Sequence, residues 1–400
     1  MARQRTTYDG LPLSGIRVLE LGHTVMGPSS SMILADLGAD VIKVEPPEGD
    51  RTRANVGFGS ALFPVFNRNK RSLCIDLKSV AGKEVFRKVV AQADALLENF
   101  APGTMDRLGL GYDTLSKVNP RLVYCALKGF LSGPYEKRAA LDEIVQYMGG
   151  LAYMTGPTGR PLRAGASVVD IMGGMFGALG ILAALRERDR TGKGQLVESS
   201  LFESTAFLVA QHMGQQALTG KAPPPMPEKA SSWAVYDPFE TADGKTVFVG
   251  ITSDNHWRAF CNAFGVEELL SDPDLKTNPQ RAQQRQKIMP VVTAKFAAHS
   301  FDSLCRKLEE LNIPFGPLAR PGDLFDDPQL NHEGRMLETL LPTGKVAKIP
   351  GLPLEMGGRK SRIRRQPPEI GADTRAVLEE AGCSLEEIER LIRQGTVIAK

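Results

Sequence analysis

The chain has 400 residues, with 49 Lys and Arg against 46 Asp and Glu, and a formal net charge of +3. With 42% hydrophobic and 24% charged residues it has the balance of a globular protein of two or three domains, and no global field for gripping nucleic acid or an anionic membrane. Five scattered cysteines without a CxxC pair and five scattered histidines support neither a disulfide framework nor a metal centre.

Residues 1–15 carry no apolar stretch of the kind a secretory signal needs, and no run of about 18 apolar residues marks a membrane span, so a cytoplasmic protein is expected. Short apolar runs then alternate with amphipathic ones. Ile16–Leu21 reads as a strand, Gly27-Pro28 as punctuation, and about Ser29–Leu37 as a helix with proline suited to its first turn. Strand Val41–Glu45 follows. The cycle repeats with strand Leu73–Leu77, helix Val80–Ala91, strand Ala95–Glu98, helix Tyr112–Val118 and strand Leu122–Leu127. Strands alternating with helices predict an α/β fold with a parallel sheet. From Asp170 to about Arg188 a glycine-rich apolar segment reads as a buried helix, too short to span a membrane. A strand at Gln195–Ser199 and a helix at Leu201–Gln216 come next.

Lys221–Pro227 (KAPPPMP) cannot sit inside a helix or central strand, so it marks a linker. Beyond it, strand Thr246–Ile251 and helices near His256–Phe264, Gln284–His299 and Ser303–Leu311 predict a smaller α+β domain at 226–325. The large domain then occupies 1–222 and resumes over 326–400, with Leu341–Pro368 rich in Pro, Gly and Arg and Thr374–Gln394 helical.

Generic motifs do not name a chemistry. Glu45 at the end of the second strand invites a dinucleotide reading, but Gly22-His23-Thr24-Val25-Met26-Gly27-Pro28 is not G-x-G-x-x-G. Neither a P-loop nor a G-x-S-x-G elbow occurs. The basic run Arg359, Lys360, Arg362, Arg364 and Arg365 reads as a solvated tail. Taken alone, Asp170 reads as the N-cap of the apolar helix. Gly173 and Gly174 serve either substrate approach or helix packing.

Several strings together resemble the family III CoA-transferases, the CaiB/BaiF group that includes formyl-CoA transferase. They are LADLGADVIKVEPPEGD at 34–50, NRNKRSLCIDLKSVAGKE at 67–84, LLENFAPGTMDRLGLGYDTL at 96–115, NPRLVYCALKGFLSGP at 119–134, LDEIVQYMGGLAYMTG at 141–156, and RAGASVVDIMGGMFGALGILAAL at 163–185. Similar strings at 242–265 and 367–391 extend the resemblance over nearly the whole chain. It implies a Rossmann-like large domain with a parallel sheet, a smaller α+β domain and an interlocked homodimer. No permanently bound cofactor and no metal are implied; the coenzyme A thioester is a substrate, and the partners are an acyl-CoA donor and a carboxylic acid acceptor, with no nucleic acid and no membrane.

By the same resemblance Asp170 is the nucleophile, working through aspartyl anhydride and aspartyl-CoA thioester intermediates, with succinyl-CoA a candidate donor and a small organic acid the acceptor. Asp142 and Gln146 face it. CoA is held by His23, Thr24, Val25 and Met26 after the first strand, and by Arg51, Lys70, Arg71, Asn99, Phe100 and Arg107. Two positions depart from the family pattern. Pro46 stands where some members carry an arginine, and Gly220–Pro225 stands where some carry a glycine-rich shielding loop. The alternatives on the same fold are an α-methylacyl-CoA racemase, which needs a histidine where this chain has Leu141, and an inactive CoA-binding scaffold.

Overall fold

The computed structural model describes residues 7–8, 10–228 and 232–400; residues 1–6, part of the stretch read for a secretory signal, lie outside the described residues. In chain order the strands are β1 (Arg17–Leu21), β2 (Asp40–Glu45), β3 (Lys70–Ile75), β4 (Ala95–Glu98), β5 (Val123–Lys128), β6 (Leu196–Ser200), β7 (Val235–Glu240), β8 (Thr246–Ile251), β9 (Phe315–Pro317), β10 (Met336–Leu340), β11 (Val346–Pro350) and β12 (Val397–Ile398). Seven form one sheet in the order β12-β3-β2-β1-β4-β5-β6, parallel except for β12 against β3. β7–β9 form a separate antiparallel sheet, and β10 and β11 a hairpin. The chain divides into two compact units, 1–227 with 329–400 and 228–328.

Pleating sends successive side chains to opposite faces. Leu19, Leu21, Ile42, Val44, Leu73 and Ile75 face the layer of helices Val80–Val90, Thr374–Glu380 and Leu385–Arg393. Val18 and Val41 face helices Met26–Asp36 and Val168–Thr191. The smaller unit has its own core, with Phe239, Phe260, Phe264 and Phe296 packed edge to face.

Several elements differ from the sequence reading. The apolar helix is 24 residues, Val168–Thr191, so length and composition would let it cross a bilayer; here its small residues seat it on helix Met26–Asp36 and on β5 and β6. The helix expected over Leu201–Gln216 is two, Leu201–Leu208 and Ala210–Thr219. The helix expected over Thr374–Gln394 is also two, parted at Gly382 with φ +86°. The β10–β11 hairpin stands partly in the stretch read as Pro/Gly/Arg-rich, its turn made by Gly344 at φ +80°. Nor is the basic run a loose tail. The Arg364 and Arg365 amides donate to Asn69 Oδ1 at 2.6 and 3.1 Å, Arg365 pairs with Asp373 at 3.1 Å, and Lys360 pairs with Glu333.

Candidate active site

Asp170 is the third residue of helix Val168–Thr191, not its N-cap, which is Ser167. The carboxylate that occupies the helix start is Asp142, first residue of helix Asp142–Met148. Its Oδ2 accepts from the backbone amides of Val169 and Asp170, both at 3.0 Å, and its Oδ1 accepts from Gln146 Nε2 at 2.6 Å. Gln146, fully buried, accepts in turn from the Ala164 amide at 2.8 Å. The i, i+4 spacing expected of Asp142 and Gln146 therefore becomes a bracket that ties two helix starts and the 163–164 turn together. The Asp142 carboxylate and the Gln146 carbonyl are thus engaged with the backbone around Asp170, and one Gln146 N–H is spent on Asp142.

Asp170 itself is half-buried, and its carboxylate oxygens accept no hydrogen bond from a described residue. Burial first, and the neighbouring Asp142 charge second, push its pKa up to about 7, while Arg163 pulls the other way. Arg163 is held by an ion pair with Glu143 and by its Nε–H donating to Ala164 O at 2.9 Å. A helix N-terminus ordinarily favours a negative charge. Here Asp142 takes two of the free amides, so the Asp170 carboxylate accepts no hydrogen bond among the described residues and has only the charge of Arg163 to oppose its own.

The helix is placed by its glycines. A Cβ on Gly174 would lie 2.4 Å from Ser29 Oγ and 2.7 Å from Met26 O; one on Gly173 would lie 2.5 Å from Met26 Cε. Helix packing thus accounts for both glycines, and it sets Asp170 one turn from Met26.

Met26 ends the loop that leaves β1. In this sheet the order runs outward in both directions from β1 and β4, so the crevice beyond their carboxyl ends is the switch point where open α/β sheets bind ligands. The loops there are joined by Asn99, whose Oδ1 accepts from the His23 amide at 2.9 Å and whose Nδ2 donates to His23 O at 3.0 Å. Glu98 Oε2 accepts from the Phe100 amide at 2.8 Å, and the Phe100 ring lies 6.0 Å from that of His23. His23 and Thr24 are exposed, and Thr24 sits at φ +66°, a strained conformation for a β-branched residue. Val25 and Met26 are buried, so they offer a ligand backbone only. The loop is also pinched, since a Cβ on Gly27 would meet Gly22 Cα at 2.9 Å and Asn99 Oδ1 at 3.0 Å.

Two expected phosphate ligands are elsewhere. β3 begins at Lys70, not Leu73, which places Lys70 and Arg71 inside the sheet, 1% and 2% exposed and pointing to opposite faces. Lys70 Nζ donates to Glu20 Oε2, Asn67 Oδ1 and Pro28 O; Arg71 pairs with Asp40 and Glu380. All the hydrogen-bonding capacity of the Lys70 ammonium is used, and neither cation is presented to a ligand. Glu45 is likewise engaged, by both Arg53 Nε and Nη2 at 2.7 Å, the Asp50 amide and Ser72 Oγ, which leaves it no role with a ribose. Arg51 and Arg107 are exposed, Arg107 donating to Thr104 Oγ1 at 2.9 Å.

A sequence model of CoA-transferase family III matches residues 13–374. The chain belongs to CoA-transferase family III. It is 33% identical to the succinyl-CoA:glutarate CoA-transferase of Mus musculus over 99% of this chain and 92% of that one. It is 34% identical to the succinate–glutarate CoA-transferase of Agrobacterium fabrum over 95% of this chain and 97% of that one. Among solved structures, a CAIB/BAIF family protein from Brucella suis superimposes with a TM-score of 0.82 at 32% identity, covering 93% of this chain and 99% of that one. The protein is therefore a CoA-transferase.

In this family III chain the structure brings Asp170, Asp142 and Gln146 together at one helix start and gathers His23, Thr24, Asn99 and Phe100 at the switch point. Four further residues escaped the sequence reading: Arg163, Glu98, Glu20 and Lys43. Lys43 carried a signal, an ammonium in the middle of the apolar strand VIKVE, where central parallel strands are buried on both faces. The Gly220–Pro225 segment is fastened by the Tyr153 hydroxyl, which donates to Pro223 O at 3.1 Å.

Proposed function

We propose that this CoA-transferase moves CoA from succinyl-CoA to a small dicarboxylic acid, with Asp170 as nucleophile and the acyl-CoA lying along the His23–Thr24 loop. The observation that carries the reading is the half-buried Asp170 carboxylate, held through its backbone by Asp142 yet accepting no hydrogen bond among the described residues. The names of the mouse and Agrobacterium relatives support the choice of donor and of acceptor class.

The steps balance without a redox partner. The Asp170 carboxylate attacks the thioester carbonyl, the C–S bond breaks, and CoA leaves as thiolate from a mixed anhydride. The thiolate attacks the aspartyl carbonyl of that anhydride, releasing succinate and leaving an aspartyl-CoA thioester. The acceptor carboxylate attacks this thioester, expelling CoA thiolate and forming a second anhydride. Attack of the thiolate on the acceptor's carbonyl then frees Asp170 and yields the new acyl-CoA. Each intermediate keeps the activation of the original thioester.

We also read the chain as a homodimer, because Met175, Leu179, Phe207 and Met213 are exposed apolar side chains on neighbouring helices of the larger unit. Sedimentation analysis tests that reading. Incubation with succinyl-CoA and a panel of dicarboxylic acids, read by mass spectrometry, should show new CoA esters and an adduct on the Asp170 peptide. Exchange of the α-proton with no CoA transfer would indicate a racemase instead, and full transfer by Asp170→Ala would remove the nucleophile assignment.

A further inference from the structure

Buried charge occupies both faces of the sheet, and one of the two clusters reaches the loop at the switch point. On that face Glu20 sits between Lys43 and Lys70. Lys43 Nζ lies 3.0 Å from Glu20 Oε1, 2.8 Å from Asp50 Oδ2 and 2.9 Å from the carbonyl of Gly22. Lys70 Nζ lies 2.7 Å from Glu20 Oε2, 2.9 Å from Asn67 Oδ1 and 3.1 Å from the carbonyl of Pro28. Ser31 Oγ donates to Glu20 Oε2 at 2.8 Å. Each ammonium has three hydrogen-bonding protons and faces three acceptors, and for each one acceptor is a carbonyl flanking the Gly22–Val25 loop: that of Gly22 at its start, and that of Pro28 in the first turn of helix Met26–Asp36, which follows it. Between those carbonyls stands Thr24 at φ +66°, with the His23 backbone gripped from the other side by Asn99. A strained residue persists only where its surroundings over-determine it, and such residues collect at ligand sites.

We propose that Lys43 and Lys70, joined through Glu20, are positioning residues for CoA, anchoring the start of the Gly22–Val25 loop and the helix turn that follows it, and so holding the loop in the strained conformation that receives the thioester. The proposal rests on the reading above that acyl-CoA lies along this loop. It reassigns Lys70 from a ligand of the nucleotide phosphates to a support beneath the loop, and it gives the same role to a lysine within a central strand.

The opposite face supplies a matched control. There Arg17 pairs with Glu380 at 2.6 Å and with Asp40 at 3.0 Å, equally buried, with no hydrogen bond to the loop. The full-length double variants Glu20→Gln/Lys70→Met and Arg17→Met/Glu380→Gln each remove one positive and one negative buried charge. Thermal denaturation should show both losing stability. Titration calorimetry with CoA alone should show affinity falling about tenfold or more in the first and staying within about twofold of the parent in the second, as expected when loop geometry and not stability sets binding. Equal affinity losses in both, or none in the first, overturn the proposal.

Should the first double variant not fold, Lys70→Arg decides. A guanidinium keeps the charge but cannot direct protons to the same three acceptors. Weakened CoA binding at parental stability supports the proposal, and parental affinity overturns it. The readout needs no turnover. A failure of the nucleophile reading would show as transfer by the Asp170 variants, with the CoA affinities unaffected.

Discussion

The sheet and the start of helix Val168–Thr191 treat buried charge in opposite ways. Within the sheet, Glu20, Lys43, Lys70, Arg17 and Arg71 are all paired at 3.2 Å or less, the two arginines with Glu380 of the helix packed on it, and Glu20 stays below the usual carboxylate range even though burial pushes it up, because two lysines face it. At the helix start Asp170 lies beside another carboxylate, its own carboxylate accepting no hydrogen bond among the described residues and its pKa raised to about 7. Cancelled charge builds the scaffold, and uncancelled charge stands where the proposed chemistry needs it.

The largest test of that contrast is Asp170→Asn. Transfer should fall by about a thousandfold or more, as expected when a covalent nucleophile is lost. Stability should move the other way. A carboxyl whose pKa is raised on folding stabilises the fold below its ordinary value near 4 and loses that contribution as pH rises to about 7. The amide carries no charge to desolvate, so above pH 7 the variant should be the more stable by on the order of 1–2 kcal/mol after allowance for solvent screening. A variant less stable than the parent at pH 8 would contradict the unpaired reading.

Next comes Asp142→Asn. Its carbonyl can still accept from Val169 and Asp170, but its NH2 confronts that of Gln146. Turnover should drop about tenfold or more. With one negative charge removed, Asp170 should ionise more readily, and the acidic limb of the kcat/KM profile, expected near pH 7 in the parent, should move to lower pH. A limb that stays in place would break the electrostatic link between the two carboxylates.

Gly174→Ala probes placement without charge. Its methyl would meet Ser29 Oγ and the Met26 carbonyl inside van der Waals distance, so a loss of about 1–3 kcal/mol is expected by denaturant titration. The smallest effect belongs to an exposed pair. Lys88→Ala, which removes the 2.8 Å contact with Glu387 between solvent-accessible side chains, should change stability by less than about 1 kcal/mol.

Most of the sheet was legible because its strands are short apolar runs between helical stretches; strand Ala95–Glu98 and helix Tyr112–Val118 match the sequence reading at both ends. β3 was misread because Lys70 and Arg71 look like surface charges, and only their tertiary partners, one of them Glu380 in sequence 309 residues away, make them interior residues. The same limit hid the Asp142 bracket. Spacing put Asp142 and Gln146 on one helical face, but nothing local showed that the amides they serve belong to Ala164, Val169 and Asp170. Asp170 was singled out only through the resemblance of its flanking string, since a lone Asp before an apolar helix reads as a cap.

The buried pairing of Arg17 with Glu380 joins residues 363 apart in sequence. As the chain leaves the ribosome, β1, β2 and β3 are made with Asp40 as the shared partner of Arg17 and Arg71, long before the second carboxylate that completes their neutralisation. The strand order can form early, but the face carrying those guanidiniums has no finished interior until helix Thr374–Glu380 arrives. Residues 228–328, with their own core, need nothing from that helix and can acquire structure first. Synthesis therefore allows the later-made unit to mature before the one that begins the chain, and a ribosome stalled before residue 380 would hold a sheet in which two buried guanidiniums share the single carboxylate of Asp40.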